Sequence, residues 1–193
     1  MRDRGFSWKD PQFTCADALT GARLVMLPYL LYSLIASLPG IATATLLAMI
    51  ATDLVDGTIA RRTGQNRPFG AVFDSTVDFV VIYSVFTTLY GIGILPWWKW
   101  LPIAATGLLI AATQIASVRR ARGLTFAPVR FGKLVGQLQF IYLPLLLVRT
   151  FWIRAAWAQT VDDVLFGILA AAMVANAVDH IQILSRLFQR RQA

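Results

Sequence analysis

Between residues 53 and 78 the chain reads Asp53-Leu-Val-Asp56-Gly57-Thr-Ile-Ala60-Arg61, then eight residues, then Gly70-Ala-Val-Phe-Asp74-Ser-Thr-Val-Asp78. These four carboxylates are drawn from only ten acidic residues, all Asp, and the sequence around them is greasy enough to lie in a membrane. An ionised side chain at mid-bilayer costs roughly 2.5–3.5 kcal/mol on insertion scales, so four unpaired ones would cost on the order of 10 kcal/mol. Such a cluster persists where something cationic neutralises it, or at a polar, water-filled end of the helices. Asp53, Asp56 and Ala60 follow helical spacing, and Asp74 and Asp78 are one turn apart, so each set projects from one face. Gly57 and Gly70 leave backbone open to close approach. Carboxylate oxygens with no Cys or His nearby suit Mg²⁺ or Mn²⁺ far better than zinc. A magnesium site built from few carboxylates usually takes substrate phosphates as its other ligands. The residue types point to metal-assisted phosphoryl chemistry on two membrane helices.

The elements that must position these groups are apolar. The chain has 193 residues, 57% of them apolar, and a mean hydropathy of +0.61. Apolar runs at about 18–38, 41–60, 69–95, 97–118, 134–153 and 161–185 each approach the ~20 residues that a spanning helix needs. The expected fold is therefore an all-α integral membrane protein of six transmembrane helices in a single domain, 1–193. Pro28 and Pro144 lie inside runs, where neighbouring helices can cover the freed carbonyls. Residues 1–14 set Phe6, Trp8 and Phe13 among Arg2, Arg4 and Lys9, the pattern of a short segment lying on the membrane surface rather than a cleaved leader.

The net charge is +8. Its basic residues collect at the ends of apolar runs, which favours lipid headgroups and phosphate ligands over nucleic acid. The N-terminus, the connection with Arg61, Arg62 and Arg67, the connection with Arg119, Arg120, Arg122, Arg130 and Lys133, and the C-terminus are basic. The opposite side holds Lys99, Arg149 and Arg154. The positive-inside rule puts both termini and the Asp cluster at the cytoplasmic face, with Trp8, Trp97, Trp98, Trp100, Trp152 and Trp157 near span ends as an aromatic belt. A lone Cys15 allows no intrachain disulfide.

Written as spacing, the stretch is D-x2-D-G-x2-A-R-x8-G-x3-D-x3-D. It resembles the signature of the CDP-alcohol phosphotransferase family at every fixed position. Eight fixed residues would coincide by chance in about one window in 10¹⁰. The resemblance implies a phospholipid-synthesising transferase of a plasma membrane (the inner membrane in bacteria). It would move a phosphatidyl group from CDP-diacylglycerol to a small alcohol and release CMP. It further implies that Asp53, Asp56, Asp74 and Asp78 hold two Mg²⁺ or Mn²⁺ ions, with Asp78 also the general base, and that the protein is a homodimer. Gly57, Ala60 and Arg61 match positions that contact the cytidine diphosphate in the family. Upstream, Asp17-Ala-Leu-Thr20-Gly-Ala-Arg23 resembles the family's N-x2-T-x2-R, which nominates Thr20 for nucleotide contact, with Asp17 standing where Asn is usual. Arg67 is a further candidate for the donor.

For the acceptor, Gly132-Lys133 followed by Gln139 resembles phosphatidylglycerophosphate synthases, while the segment 69–78 resembles inositol-phosphate-using members equally well. Both groups commonly carry Lys or Arg after the last Asp, where this chain has Phe79. Arg119, Arg130 and Lys133 could form an anion pocket, which favours a phosphorylated acceptor, glycerol 3-phosphate or inositol phosphate. The rival chemistries are a CDP-choline- or CDP-ethanolamine-type enzyme acting on a lipid alcohol, a membrane prenyltransferase, and a divalent-cation transporter with an Asp filter. The bland reading of the four Asp is an ion-pair network with Arg61, Arg62 and Arg67. His180 beside Asp179 reads as a polar pair, and Gly132 with Gly136 as a mark of close helix packing.

Overall fold

The computed structural model describes residues 15–62, 68–121, 131–153 and 155–189, with side chains over 18–53, 73–116, 131–153 and 155–185. Among these residues the chain is all-helical: α1 (Cys15–Ile35), α2 (Pro39–Arg62), α3 (Pro68–Gly91), α4 (Trp97–Ala121), α5 (Gly132–Phe151) and α6 (Ala156–Gln189). The surface-segment expectation for 1–14 lies outside the described residues.

Helix boundaries follow the local chemistry. Proline opens α2 and α3, where its missing N–H would have had no intrahelical partner and its fixed φ suits the first turn. The α1–α2 turn passes through Ser37 at φ 55°. The expected run 69–95 is shorter as a helix: α3 stops at Gly91, and the chain turns through Gly93 at φ 78°, a conformation that glycine adopts without strain. The last helix starts earlier than the apolar run, at Ala156. Its two early aspartates, Asp162 and Asp163, which break the hydropathy pattern, pair across the bundle with Lys99, and Asp162 also with Arg149.

Among the described residues, four helices are long and apolar enough to cross a membrane: α1, α4, α5 and α6. The described part of α2 adds a shorter apolar stretch, Pro39–Asp53. The helices are apolar around their whole circumference, with Val25 (78% exposed), Leu108 (74%) and Val174 (67%) facing outward, as expected of a bundle solvated by lipid.

α1 packs on α2 and α3, and α6 packs on α4 and α5; α3 with α4 and α5, and α2 with α5, join the two halves. Leu30, Leu34, Val85, Phe86, Leu89, Leu143 and Leu147 form the shared core. Where α3 meets α4, a Cβ built on Gly107 would lie 2.5 Å from the Tyr83 ring. The phenol oxygen of Tyr83 accepts from Gln139 Nε2 on α5 at 3.3 Å. Close packing at a glycine is thus found at Gly107. At Gly136 it is not: an added Cβ there meets nothing within 4 Å.

One end of the α4–α5–α6 half is closed by charge. Lys99, 1% exposed, donates to Asp162 Oδ2 and to Asp163 Oδ1, both at 2.7 Å. The Tyr142 hydroxyl donates to Asp162 Oδ1 at 2.9 Å, and Arg149 Nη1 stands 3.9 Å from Asp162 Oδ2. The Lys99 ammonium also lies over the Trp98 and Phe166 rings, 5.0 and 5.3 Å from their centroids.

Candidate metal and phosphate site

The opposite end of the molecule gathers the signature. Thr20 and Arg23 are one turn apart on α1, Asp53 lies toward the end of α2, and Asp74 and Asp78 occupy the early turns of α3. α3 begins only six residues after Arg62 closes α2, so the two acidic helix segments are held near one another by a short connection. Packing of α1 on both helices then sets its polar side chains against them.

Arg23 is at the centre. Its side chain is 2% exposed, although it stands in a span with no other charged residue between Ala18 and Ile35. Nη1 donates to Asp53 Oδ1 at 2.8 Å and to Asp78 Oδ1; Nη2 donates to Asp74 Oδ1 at 2.5 Å and to Thr20 Oγ1 at 3.3 Å. The Thr20 hydroxyl donates to Asp74 Oδ1 at 3.3 Å. The three carboxylates themselves are 26%, 42% and 32% exposed, so the acidic groups reach solvent while the arginine that joins them does not. One oxygen from each of Asp53, Asp74 and Asp78 can be chosen so that all lie within 4.8 Å of one another. That spacing and the all-oxygen donor set fit a hard divalent cation. Among the described side chains, the Arg23 guanidinium pairs with all three carboxylates.

Next to Arg23 and Asp78, a small apolar gap in the core lies between Leu46, Met49, Ile50, Val81, Ile82, Phe140 and Leu143, from α2, α3 and α5.

The structure thus brings together Asp53, Asp74, Asp78 and Thr20. Asp56, Gly57, Ala60 and Arg61 continue α2, but their side chains lie outside the described residues, as do Arg67, Arg130 and the side chain of Arg119. Lys133 stands exposed in the first turn of α5, and Gln139 is buried against Tyr83. His180 is buried with no hydrogen-bond partner at Nδ1, while Asp179 accepts from the Phe131 N–H at 3.3 Å. Arg61, Arg62 and Arg67, the cations of the ion-pair reading, have side chains outside the described residues; among the described ones, Arg23 pairs with the carboxylates. An available signal was missed here. An ionisable residue inside an apolar span is a functional candidate by default, and that rule applies to Arg23 as fully as to the aspartates.

Comparison with known proteins agrees with the signature. Residues 13–178 match the family model described as CDP-alcohol phosphatidyltransferase. A Mycobacterium tuberculosis protein named provisionally as a phosphatidylglycerophosphate synthase is 33% identical over 111 residues, covering 54% of this chain and 53% of that protein. A Mycobacterium bovis protein named provisionally as a cardiolipin synthase is 32% identical over 120 residues, 61% of this chain and 56% of that one. The chain therefore spans about half the length of these two relatives. The CDP-diacylglycerol–glycerol-3-phosphate 3-phosphatidyltransferase of Shigella flexneri is 28% identical over 165 residues, 82% of this chain and 88% of that protein.

Proposed function

Because the chain belongs to the CDP-alcohol phosphatidyltransferase family, we propose that it transfers a phosphatidyl group from CDP-diacylglycerol to an alcohol acceptor, releasing CMP. The observation that carries this reading is the gathering of Asp53, Asp74 and Asp78, from two helices of an apolar bundle, with one oxygen of each within 4.8 Å of the others. An all-oxygen donor set at that spacing suits a hard divalent cation, and such a cation suits a pyrophosphate.

Asp53, Asp56, Asp74 and Asp78 would hold Mg²⁺ or Mn²⁺, as two ions. Bound there, the cations neutralise the pyrophosphate and the charge that develops on the departing CMP. The protein's own groups do the rest. Asp78 takes the proton from the acceptor hydroxyl as that oxygen attacks the donor's β-phosphorus, and the bond from that phosphorus to CMP breaks with its electron pair leaving on CMP. Gly57 and Ala60 let the nucleotide approach the α2 backbone, and Arg61 and Arg67 meet phosphate. Thr20, held against Asp74, orients that carboxylate for the nucleotide end of the donor.

The acceptor is glycerol 3-phosphate on this reading. The Shigella flexneri relative is named for that substrate, and Arg119, Arg130 and Lys133 supply positive charge for a phosphorylated acceptor. The name of the Mycobacterium bovis relative makes phosphatidylglycerol the second candidate. We further take the chain as one domain of six spans in a bacterial inner membrane. Both termini and the acidic site face the cytoplasm, as the basic connections favour, and the protein pairs as a homodimer.

The test is CMP release by purified protein in detergent, with CDP-diacylglycerol and Mg²⁺. The acceptors are glycerol 3-phosphate, inositol phosphate and phosphatidylglycerol in separate reactions, with Asp78→Asn protein as control. Metal-dependent release with glycerol 3-phosphate alone, lost in the variant, is the expected result. Release that persists in Asp78→Asn protein would remove the assigned base.

A further inference from the structure

Arg23 does more than a packing residue requires. It is buried, it comes from α1 while its three acidic partners come from α2 and α3, and its two terminal nitrogens contact all three carboxylates. The guanidinium therefore sits among the very oxygens that a divalent cation would use. Each carboxylate has two oxygens, and Arg23 engages Oδ1 of every one of them. A guanidinium and a divalent ion crowded onto one set of three carboxylates repel one another, and each draws on the same negative charge. The opposite view is that Arg23 orients the carboxylates for the metal, as supporting groups around a metal site often do. The two views predict changes of opposite sign when the arginine is removed.

We propose that Arg23 is a resident counter-cation that competes with the divalent metal for Asp53, Asp74 and Asp78. It gathers the carboxylates of two helices around one point and yields their oxygens as the ion enters. The proposal rests on the reading of this cluster as a metal site. Its consequence is a moderated metal affinity: the ion is bound less tightly than the same carboxylates would bind it alone, and α1 feels each binding event through Arg23.

The experiment is Mn²⁺ binding to purified full-length protein, followed by the electron paramagnetic resonance signal of free Mn²⁺, alongside thermal unfolding in EDTA and in Mn²⁺. Wild-type protein is compared with Arg23→Met, which keeps the length and removes the charge, and Arg23→Lys, which keeps the charge but loses the planar two-nitrogen fork. Arg23→Met is expected to unfold at lower temperature in EDTA, to bind Mn²⁺ about tenfold or more tightly, and to gain more from Mn²⁺ than wild type does. Arg23→Lys, the variant more certain to fold, should fall between the two. A merely structural arginine would lower the unfolding temperature without tightening the metal. Mn²⁺ binding that is unchanged or weaker in both folded variants would overturn the proposal and leave the metal site standing. No Mn²⁺ binding by wild-type protein would overturn both.

Discussion

The two ends of this molecule use the same kinds of charged group in opposite balance. At one end, Lys99 and Arg149 meet Asp162 and Asp163, two cations to two anions, with Tyr142 donating to the more buried carboxylate. At the other, among the described side chains, Arg23 meets Asp53, Asp74 and Asp78. The first network is neutral as it stands and ties α4, α5 and α6 together. Among the described pairs, the second sets one cation against three anions. Buried or half-buried charge in an apolar bundle costs so much that a neutral set can be explained by folding alone, whereas an uncompensated set needs a partner from outside. Charge balance among the described residues, more than the presence of carboxylates, distinguishes the Lys99 end from the end proposed to bind metal.

The comparison breaks most visibly in activity. Asp78→Asn is expected to lower CMP release by about 10²–10⁴-fold, the usual worth of a positioned general base, while Asp163→Asn stays within a few-fold of wild type. Equal losses would mean the far network is part of the chemistry. Next in size is stability. Lys99→Met strands the buried Asp162 and should cost roughly 3–5 kcal/mol of unfolding free energy in detergent, and Lys99→Met with Asp162→Leu should recover most of it, because a neutral pair has no need of outside cations. Gly107→Ala drives a methyl into the Tyr83 ring and should destabilise by about 1–3 kcal/mol, whereas Gly136→Ala, with open space, should change stability by no more than about 0.5 kcal/mol. The smallest effect carries the sharpest sign. Asp74→Asn removes one of three clustered negative charges, so it should leave the protein in EDTA as stable as wild type or more so, by up to about 1 kcal/mol, even as CMP release falls. A loss of stability there, measured by thermal unfolding, would mean that Arg23 needs all three carboxylates.

Much of this was readable in the chain. Runs at 41–60 and 134–153 became α2 at Pro39–Arg62 and α5 at Gly132–Phe151, because helix content in an apolar stretch is decided by local backbone pairing and by prolines and polar breaks at its ends. Asp74 and Asp78 share a face because the helix repeat puts residues four apart on one side. The start of α6 was misjudged for the same local reason: Asp162 and Asp163 look like a connection until Lys99, 63 positions away, is seen to neutralise Asp162. Gly136 and Gly107 illustrate the point again. Both are glycines in apolar helices, and only the neighbour that packs against each tells them apart.

By itself the sequence determined the donor chemistry, hard oxygens on helical spacing with no Cys or His to compete, and the apolar helices that carry them, since both follow from residue type and from the repeat of a single helix. The tertiary structure alone decided which cation stands among those oxygens. Arg23 lies 30 residues from Asp53 and 55 from Asp78 along the chain. Its place depends on how α1 is rotated and at what depth it packs against α2 and α3. Covalent spacing says which face of its own helix a side chain occupies. Contact between helices says what that face meets.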